Sequence, residues 1–295
     1  MKHLNNKYPK HKSRSWHTGI RWGLIFFLCL LCPVNWIYAL ENAGMKAPAT
    51  KTSVDHDLLK ATKNPVADLI SVPIENITNF NNGLYNRMDN TLSLQPVIPA
   101  ALSENWLLIT RIIQPITWQP YTDRESGGQF GLGDMNPTFF LAPRKPGDLI
   151  WGVGPAMVIP TATDSILGQG KISLGPSAVV LSQPGNWTIG ALASSIWSVA
   201  GSESRPSVSR TSLQYFISYS LKDDWYLISA PTMVADWRAD QDDRWLIPVG
   251  GGIGKLIVLG ESPIDLAASI YANVVKPSGG PSWQLSLQLT LLFPK

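Results

Sequence analysis

The side chains that ordinarily carry catalysis are unevenly placed in this 295-residue chain. All four histidines (His3, His11, His17 and His56) and both cysteines (Cys29 and Cys32) lie before residue 57. A His general base, a thiol nucleophile, a Cys/His zinc site or a disulfide framework therefore has no material between Asp57 and Lys295. Cys29-x-x-Cys32 has redox spacing but sits inside an apolar run, where it reads as incidental. Asp236, Asp240, Asp242 and Asp243 could offer oxygens to a divalent cation, yet Arg238 and Arg244 interleave them, the pattern of a solvated loop. Gly250-Gly251-Gly252-Ile253-Gly254 lacks the Gly-Lys-Ser/Thr ending of a phosphate loop and reads as close packing or clearance within a strand. No catalytic residue, cofactor site or metal ligand set is expected, and no spacing singles out a carboxylate pair.

What remains is a small set of charges inside apolar, alternating sequence. Arg111 is the clearest: it takes the parity opposite Trp106, Leu108, Thr110, Ile112, Gln114, Ile116 and Trp118. In a strand, successive side chains point to opposite faces, so Arg111 and the two tryptophans lie on different sides of a sheet. Asp134, Arg144, Asp164 and Lys171 stand near strand ends and are weaker candidates of the same kind.

The elements that carry these residues repeat one design. Trp283, Leu285, Leu287, Leu289, Leu291 and Phe293 alternate with Gln284, Ser286, Gln288 and Thr290. Trp187 and Trp197 end one face of another segment, and Trp225 and Trp237 bracket a third. A rise of about 3.3 Å per residue at roughly 40° tilt carries ten to twelve residues through about 25–30 Å, close to the apolar band between aromatic girdles of a membrane barrel. Soluble β-sandwich strands are typically about half that long. The segments number twelve between Asp68 and Phe293, an even count as bacterial barrels require. Short and longer connections alternate, which puts the longer ones (among them 79–89 and 162–170) outside if both termini are periplasmic. Pro96, Pro115, Pro137, Pro155 and Pro176 recur inside the strands although each removes a ladder donor.

Residues 1–21 carry six basic and no acidic residues, and Trp22–Leu40 is uncharged. This is the layout of a secretory signal, expected over 1–39, followed by a polar, flexible periplasmic leader over 40–64 and a barrel over 65–295. The formal charge of +3 belongs to the signal, because removing it leaves 18 basic against 21 acidic residues. No nucleic-acid partner is implied. Beyond Leu40 no apolar run approaches the 18 residues a membrane helix needs.

Several strings in order resemble one family. They are Asn64-Pro65-Val66-Ala67-Asp68-Leu69-Ile70-Ser71-Val72-Pro73, Leu94-Gln95-Pro96-Val97-Ile98-Pro99, Gly131-Leu132-Gly133-Asp134-Met135-Asn136-Pro137, Trp151-Gly152-Val153-Gly154-Pro155, Leu174-Gly175-Pro176-Ser177 and Leu292-Phe293-Pro294-Lys295. Together they are similar to the transporter-like outer-membrane proteins of a meta-pathway phenol-degradation family. The resemblance implies an outer-membrane barrel and hints at aromatic compounds; it brings no catalytic or ligand residues.

The expectation is therefore an all-β, antiparallel up-and-down transmembrane β-barrel of about twelve strands in the outer membrane. Its girdle would be Trp106, Trp118, Trp187, Trp197, Trp225, Trp237, Trp283 and Phe293, and its lumen or selectivity residues Arg111, Asp134, Arg144, Asp164 and Lys171. Expected partners are outer-membrane lipids, the barrel-assembly machinery and a small solute, in the role of a channel or uptake protein for small molecules. A non-transporting structural or surface barrel is the alternative, and an outer-membrane enzyme a third.

Overall fold

The computed structural model describes residues 56–260 and 262–294. The signal segment, both cysteines and the leader up to residue 55 lie outside the described residues. One helix, α1 (His56–Thr62), precedes fifteen strands: β1 (Ile70–Asn82), β2 (Arg87–Leu94), β3 (Val97–Ala101), β4 (Trp106–Pro120), β5 (Gly128–Leu132), β6 (Asn136–Pro143), β7 (Leu149–Val158), β8 (Lys171–Ser182), β9 (Trp187–Gly201), β10 (Ser209–Ser220), β11 (Trp225–Ser229), β12 (Thr232–Asp236), β13 (Trp245–Leu259), β14 (Ser262–Val275) and β15 (Trp283–Phe293).

Three pairs of strands are single staves interrupted once. Pro96 breaks β2 from β3, residues 133–135 break β5 from β6, and Pro231 breaks β11 from β12. The fifteen strands thus make twelve staves, each antiparallel to its neighbours. The ring closes where β1 pairs with β15, from Ile70 opposite Phe293 to Phe80 opposite Trp283. Closure leaves no unpaired sheet edge, which a hydrocarbon environment would penalise.

Alternation sorts every stave into two faces. On β4, Leu107 and Ile109 are buried inside while Trp106 and Trp118 lie exposed outside. β8 reads the same way: Ser173, Ser177, Val179 and Leu181 are buried, and Ile172, Leu174 and Val180 are exposed. At the end carrying the short turns, Trp106, Trp187, Trp225 and Phe293 lie on the outer face; Trp118, Trp197, Trp237 and Trp283 do so at the other. Ring contacts tie neighbouring staves within both groups: Trp187 meets Tyr219 at 4.7 Å, and Trp283 stacks on Phe80 at 3.8 Å.

One of the longer connections is much shorter than expected. The hairpin between β1 and β2 occupies only 83–86 instead of 79–89, because both amides that flank it hold the ladder together. Asn79 and Asn82 each donate from Nδ2 to a different oxygen of Asp89 at 2.8 Å, extending the pairing to Asn82 opposite Arg87.

Two of the five in-strand prolines, Pro155 and Pro176, are accommodated by a preceding glycine. Pro155 on β7 faces Pro176 on β8, so neither can donate across the ladder. The carbonyl oxygen of Phe139 on β6 lies where a side chain at position 154 would begin, and that of Ser195 on β9 does the same at position 175. An ideal Cβ would sit 1.9 Å and 1.8 Å from these oxygens, so only Gly154 and Gly175 fit. Each Gly-Pro pair therefore removes a donor and makes room for the carbonyl that lost it. On the outer wall beside them an apolar depression of about 750 Å³ runs over β7, β8 and β9.

Candidate functional site

The lumen is closed at the short-turn end by the chain's own N-terminal segment. In α1 and the residues after it, Leu59, Val66 and Leu69 are apolar amid polar sequence, and all three are buried inside the barrel. The helix stops where Thr62 donates from Oγ1 to the Leu59 carbonyl at 2.7 Å and Pro65 cannot continue the ladder. Asn64 then accepts the Val66 N–H on its side chain at 3.0 Å, turning the chain so that Val66 enters a cluster with Val97, Leu107, Ile109, Phe140, Val179, Leu181, Leu192 and Phe216. Leu59 and Leu69 pack instead with Tyr226, Leu256 and Leu292. Burying a side chain of this size is worth about 1.5–3 kcal/mol, so three of them anchor the segment firmly. Residues 56–64, assigned on sequence to the flexible leader, therefore form a plug.

A buried polar latch accompanies it. Lys63 Nζ lies 2.6 Å from Asp265 Oδ2, with their side chains only 9% and 4% exposed. It also sits 3.5 Å above the Tyr226 ring, whose hydroxyl donates to Asp265 Oδ1 at 2.8 Å. Burial pulls the Lys63 ammonium below its ordinary value, and the carboxylate of Asp265 works against that shift. Tyr226 fits because Gly254 opposite it has no Cβ; one there would stand 2.1 Å from the ring. Gly250 and Gly252 instead admit the backbone of β14, where a Cβ would stand 2.1 Å and 1.9 Å from the carbonyl oxygens of Ile270 and Ala268. Lys60 adds a two-way link, donating to the Gln183 carbonyl at 3.3 Å while Gln183 Nε2 donates to the Lys60 carbonyl at 2.9 Å.

Above the plug lies a cavity of about 600 Å³. One wall is polar and carries Arg111, which projects inward from β4. Arg111 Nη2 donates to Gln95 Oε1 at 2.8 Å, Gln95 Nε2 donates to Glu75 Oε2 at 2.9 Å, and Ser286 Oγ donates to Glu75 Oε1 at 2.8 Å. Gln95 occupies the β2/β3 break, so the interruption at Pro96 presents the amide that separates the two charges. Ser212, Gln214, Gln284 and Gln288 add polar side chains to the lining, and Val97, Ile113, Leu192, Ile196 and Phe216 set apolar ones among them.

At the loop end, residues 159–170 fold against the inner face of β5. Thr163 and Leu167 occupy the space that side chains at Gly131 would need. Asp134 holds this loop: its Oδ1 accepts the Ala162 N–H at 3.2 Å and its Oδ2 the Gln169 N–H at 2.6 Å. Arg205 clamps the loop from the next connection, donating to the carbonyls of Ser165 at 2.7 Å, Gln169 at 3.2 Å and Gly168. Arg210 lines the top of the cavity and pairs with Asp236 at 3.2 Å.

The five charges singled out on sequence are thus dispersed. Arg111 borders the cavity, and Asp134, outside its lining, anchors the loop through Ala162 and Gln169. Asp164 lies within the folded loop, where its Oδ1 accepts the Ile166 N–H at 3.1 Å. Lys171 begins β8 opposite Gly201. Arg144 is at the other end, 3.9 Å from Asp68. Sequence reasoning passed over Glu75, Gln95, Lys63, Asp265 and Arg205. Parity was available for Glu75 and Asp265, each an acid in an otherwise apolar or small-residue run. Nothing local marks Lys63, whose partner is 202 residues away.

No protein-family model and no curated protein matches the chain. Among solved structures it is similar to an outer membrane channel from Pseudomonas putida F1, at 16% identity and a TM-score of 0.58, over 84% of this chain and 100% of the other. Outer membrane phospholipase A from Escherichia coli aligns over 77% and 96% at 14% identity with a TM-score of 0.39. A Pseudomonas aeruginosa FadL homologue aligns over 76% and 89% at 10% identity with a TM-score of 0.34. The first likeness shows the fold, an outer-membrane β-barrel.

Proposed function

We propose that the protein is an outer-membrane channel or uptake protein for small molecules, secreted across the inner membrane and inserted by the barrel-assembly machinery. One observation carries this reading: a closed barrel with aromatic belts at both ends encloses a cavity of about 600 Å³ whose wall carries polar and charged side chains. A barrel that served only as a scaffold gains nothing from an unfilled, charged interior, since burying Arg111 and Glu75 costs solvation that apolar packing would avoid. The similar Pseudomonas putida protein is a channel, which agrees with this reading. Enzymatic hydrolysis is disfavoured by the lack of any histidine after His56.

In this reading the plug is the gate. Solute enters from the loop end past residues 159–170 and rests in the cavity, and its exit requires the segment 56–69 to move. Planar-bilayer recordings test it: the intact protein should conduct in small, infrequent steps, and removal of residues 56–64 should raise the conductance severalfold. A truncated barrel that folds but passes neither ions nor solutes overturns the proposal. The aromatic direction given by the family resemblance is the finer proposal, tested by growth of a deletion strain on phenolic carbon sources.

A further inference from the structure

We infer that the cavity is a binding site for a small amphipathic monoanion, held by its carboxylate on Arg111 with its compact apolar body against Val97, Ile113, Leu192, Ile196 and Phe216. The inference rests on the uptake reading and specifies what is taken up.

Charge placement decides the class. Arg111 is a cation enclosed by the barrel wall, yet among the described residues its one hydrogen bond goes to a neutral amide, Gln95 Oε1 at 2.8 Å, and no carboxylate lies within ion-pair distance. The nearest acid in the network, Glu75, attracts the guanidinium across Gln95 without reaching ion-pair distance, its Oε1 accepting from Ser286 and its Oε2 from Gln95. The other cations at the cavity already have carboxylate partners: Lys63 has Asp265 and Arg210 has Asp236. Arg111 is therefore the charge whose remaining donors face the cavity without a protein acceptor. A guanidinium offers five N–H donors in a planar fork, of which a carboxylate takes two in parallel. Gln95 spends its carbonyl on Arg111 and its amide on Glu75, so it fixes the fork's orientation without neutralising it.

Shape supplies the rest. A volume of about 600 Å³ lies within the range of small-molecule sites. The lining beyond Arg111 interleaves apolar side chains with hydroxyls and amides: Leu192 lies across the ladder from Gln214, and Val97 across from Arg111 itself. A fully polar solute would leave the apolar lining residues without contact, and an uncharged apolar one would leave the spare donors of Arg111 without an acceptor. An amphipathic monoanion satisfies both.

Calorimetric titration of the detergent-purified full chain tests this with three probes of one body and different charge: benzoate, benzyl alcohol and benzylamine. Benzoate should bind at least tenfold tighter than either of the others, with cyclohexanecarboxylate close behind it. Arg111→Gln should abolish the preference, and Arg111→Lys should retain part of it, with heat-modifiable gel mobility reporting that each variant is folded. Equal binding of benzoate and benzyl alcohol to the unaltered protein overturns the inference without need of a variant, as does an undiminished preference in folded Arg111→Gln. Conductance recorded on the same preparation separates the two readings. Conduction without benzoate preference removes the ligand and leaves the channel; benzoate preference without conduction through either the intact or the plug-deleted barrel removes the channel and leaves the ligand.

Discussion

At the scale of single residues, the Lys63–Asp265 pair shows how a charge can be put to use inside a barrel. Removing both ions from water is costly, and their attraction repays it only when the geometry is good and the remaining lone pairs are satisfied. Here the separation is 2.6 Å, Tyr226 donates to the second carboxylate oxygen, and the ammonium lies over the Tyr226 ring. The pair therefore specifies where the plug docks more than it strengthens the docking. Asp265→Asn should leave an uncompensated buried ammonium at a cost of about 3–5 kcal/mol, which corresponds to a loosening of the plug on the order of a hundredfold or more. Cleavage after Lys60 by a lysine-specific protease reads this directly, because Lys60 is held against Gln183 only while α1 is docked. The triple substitution Lys63→Met, Asp265→Leu and Tyr226→Phe should recover most of the protection, since an apolar cluster of similar volume forgoes the desolvation and leaves no buried hydroxyl without its acceptor. Unchanged cleavage in Asp265→Asn would show that the apolar contacts of Leu59, Val66 and Leu69 alone hold the segment.

At the scale of the element, the staves depart from ideal strands at their Gly-Pro pairs. Gly175→Val would place its Cβ against the Ser195 carbonyl, backbone that has no rotamer to yield. The cost should reach or exceed the about 1–3 kcal/mol typical of overpacking, measured as a shift of the urea midpoint for unfolding. The same substitution at Gly185, a turn position with nothing near its Cβ direction but a φ of 54°, should cost less than Gly175→Val. Comparable losses at both sites would contradict the steric account. These features also mark how far the sequence could be read. Alternation across β4, β8, β9 and β15 gave the faces and the stave count, because a period of two is a local property. The recurrence of Gly154-Pro155 and Gly175-Pro176 was equally visible, but its meaning depends on which carbonyl lies opposite, and that is set by register between staves. The plug was harder still. His56–Thr62 is a single short helix whose apolar residues are too few to display a period, and its burial is decided by partners on β11, β13, β14 and β15. Arg111 was legible as an inward charge from parity alone, whereas the isolation of its charge by Gln95 was not.

At the scale of the whole molecule, the barrel divides its chemistry by parity alone. The outer face meets hydrocarbon, and the inner face holds a plug, a cavity and an infolded loop, so neighbouring residues on one stave experience opposite solvents. β15 offers a sharp test because its middle carries Leu287 outward and Gln288 inward on adjacent positions. An arginine at Leu287 would face lipid near the midplane, where charged side chains cost a barrel about 2–4 kcal/mol. An arginine at Gln288 would enter a cavity that already accommodates Glu75 and should cost much less. Unfolding from phospholipid bilayers should therefore rank Leu287→Arg well below Gln288→Arg in stability, and the gap should shrink in a detergent micelle that lets the side chain reach water. Equal stability of the two variants in bilayers would mean that the Trp-bracketed face is not the lipid face, and the sparse 15% charge content would then need another explanation. The same pair bears on selectivity. A second cation at position 288, beside Glu75 on the wall that carries Arg111, should raise anion preference in conductance, while Leu287→Arg should leave it unchanged because that charge never meets the solute.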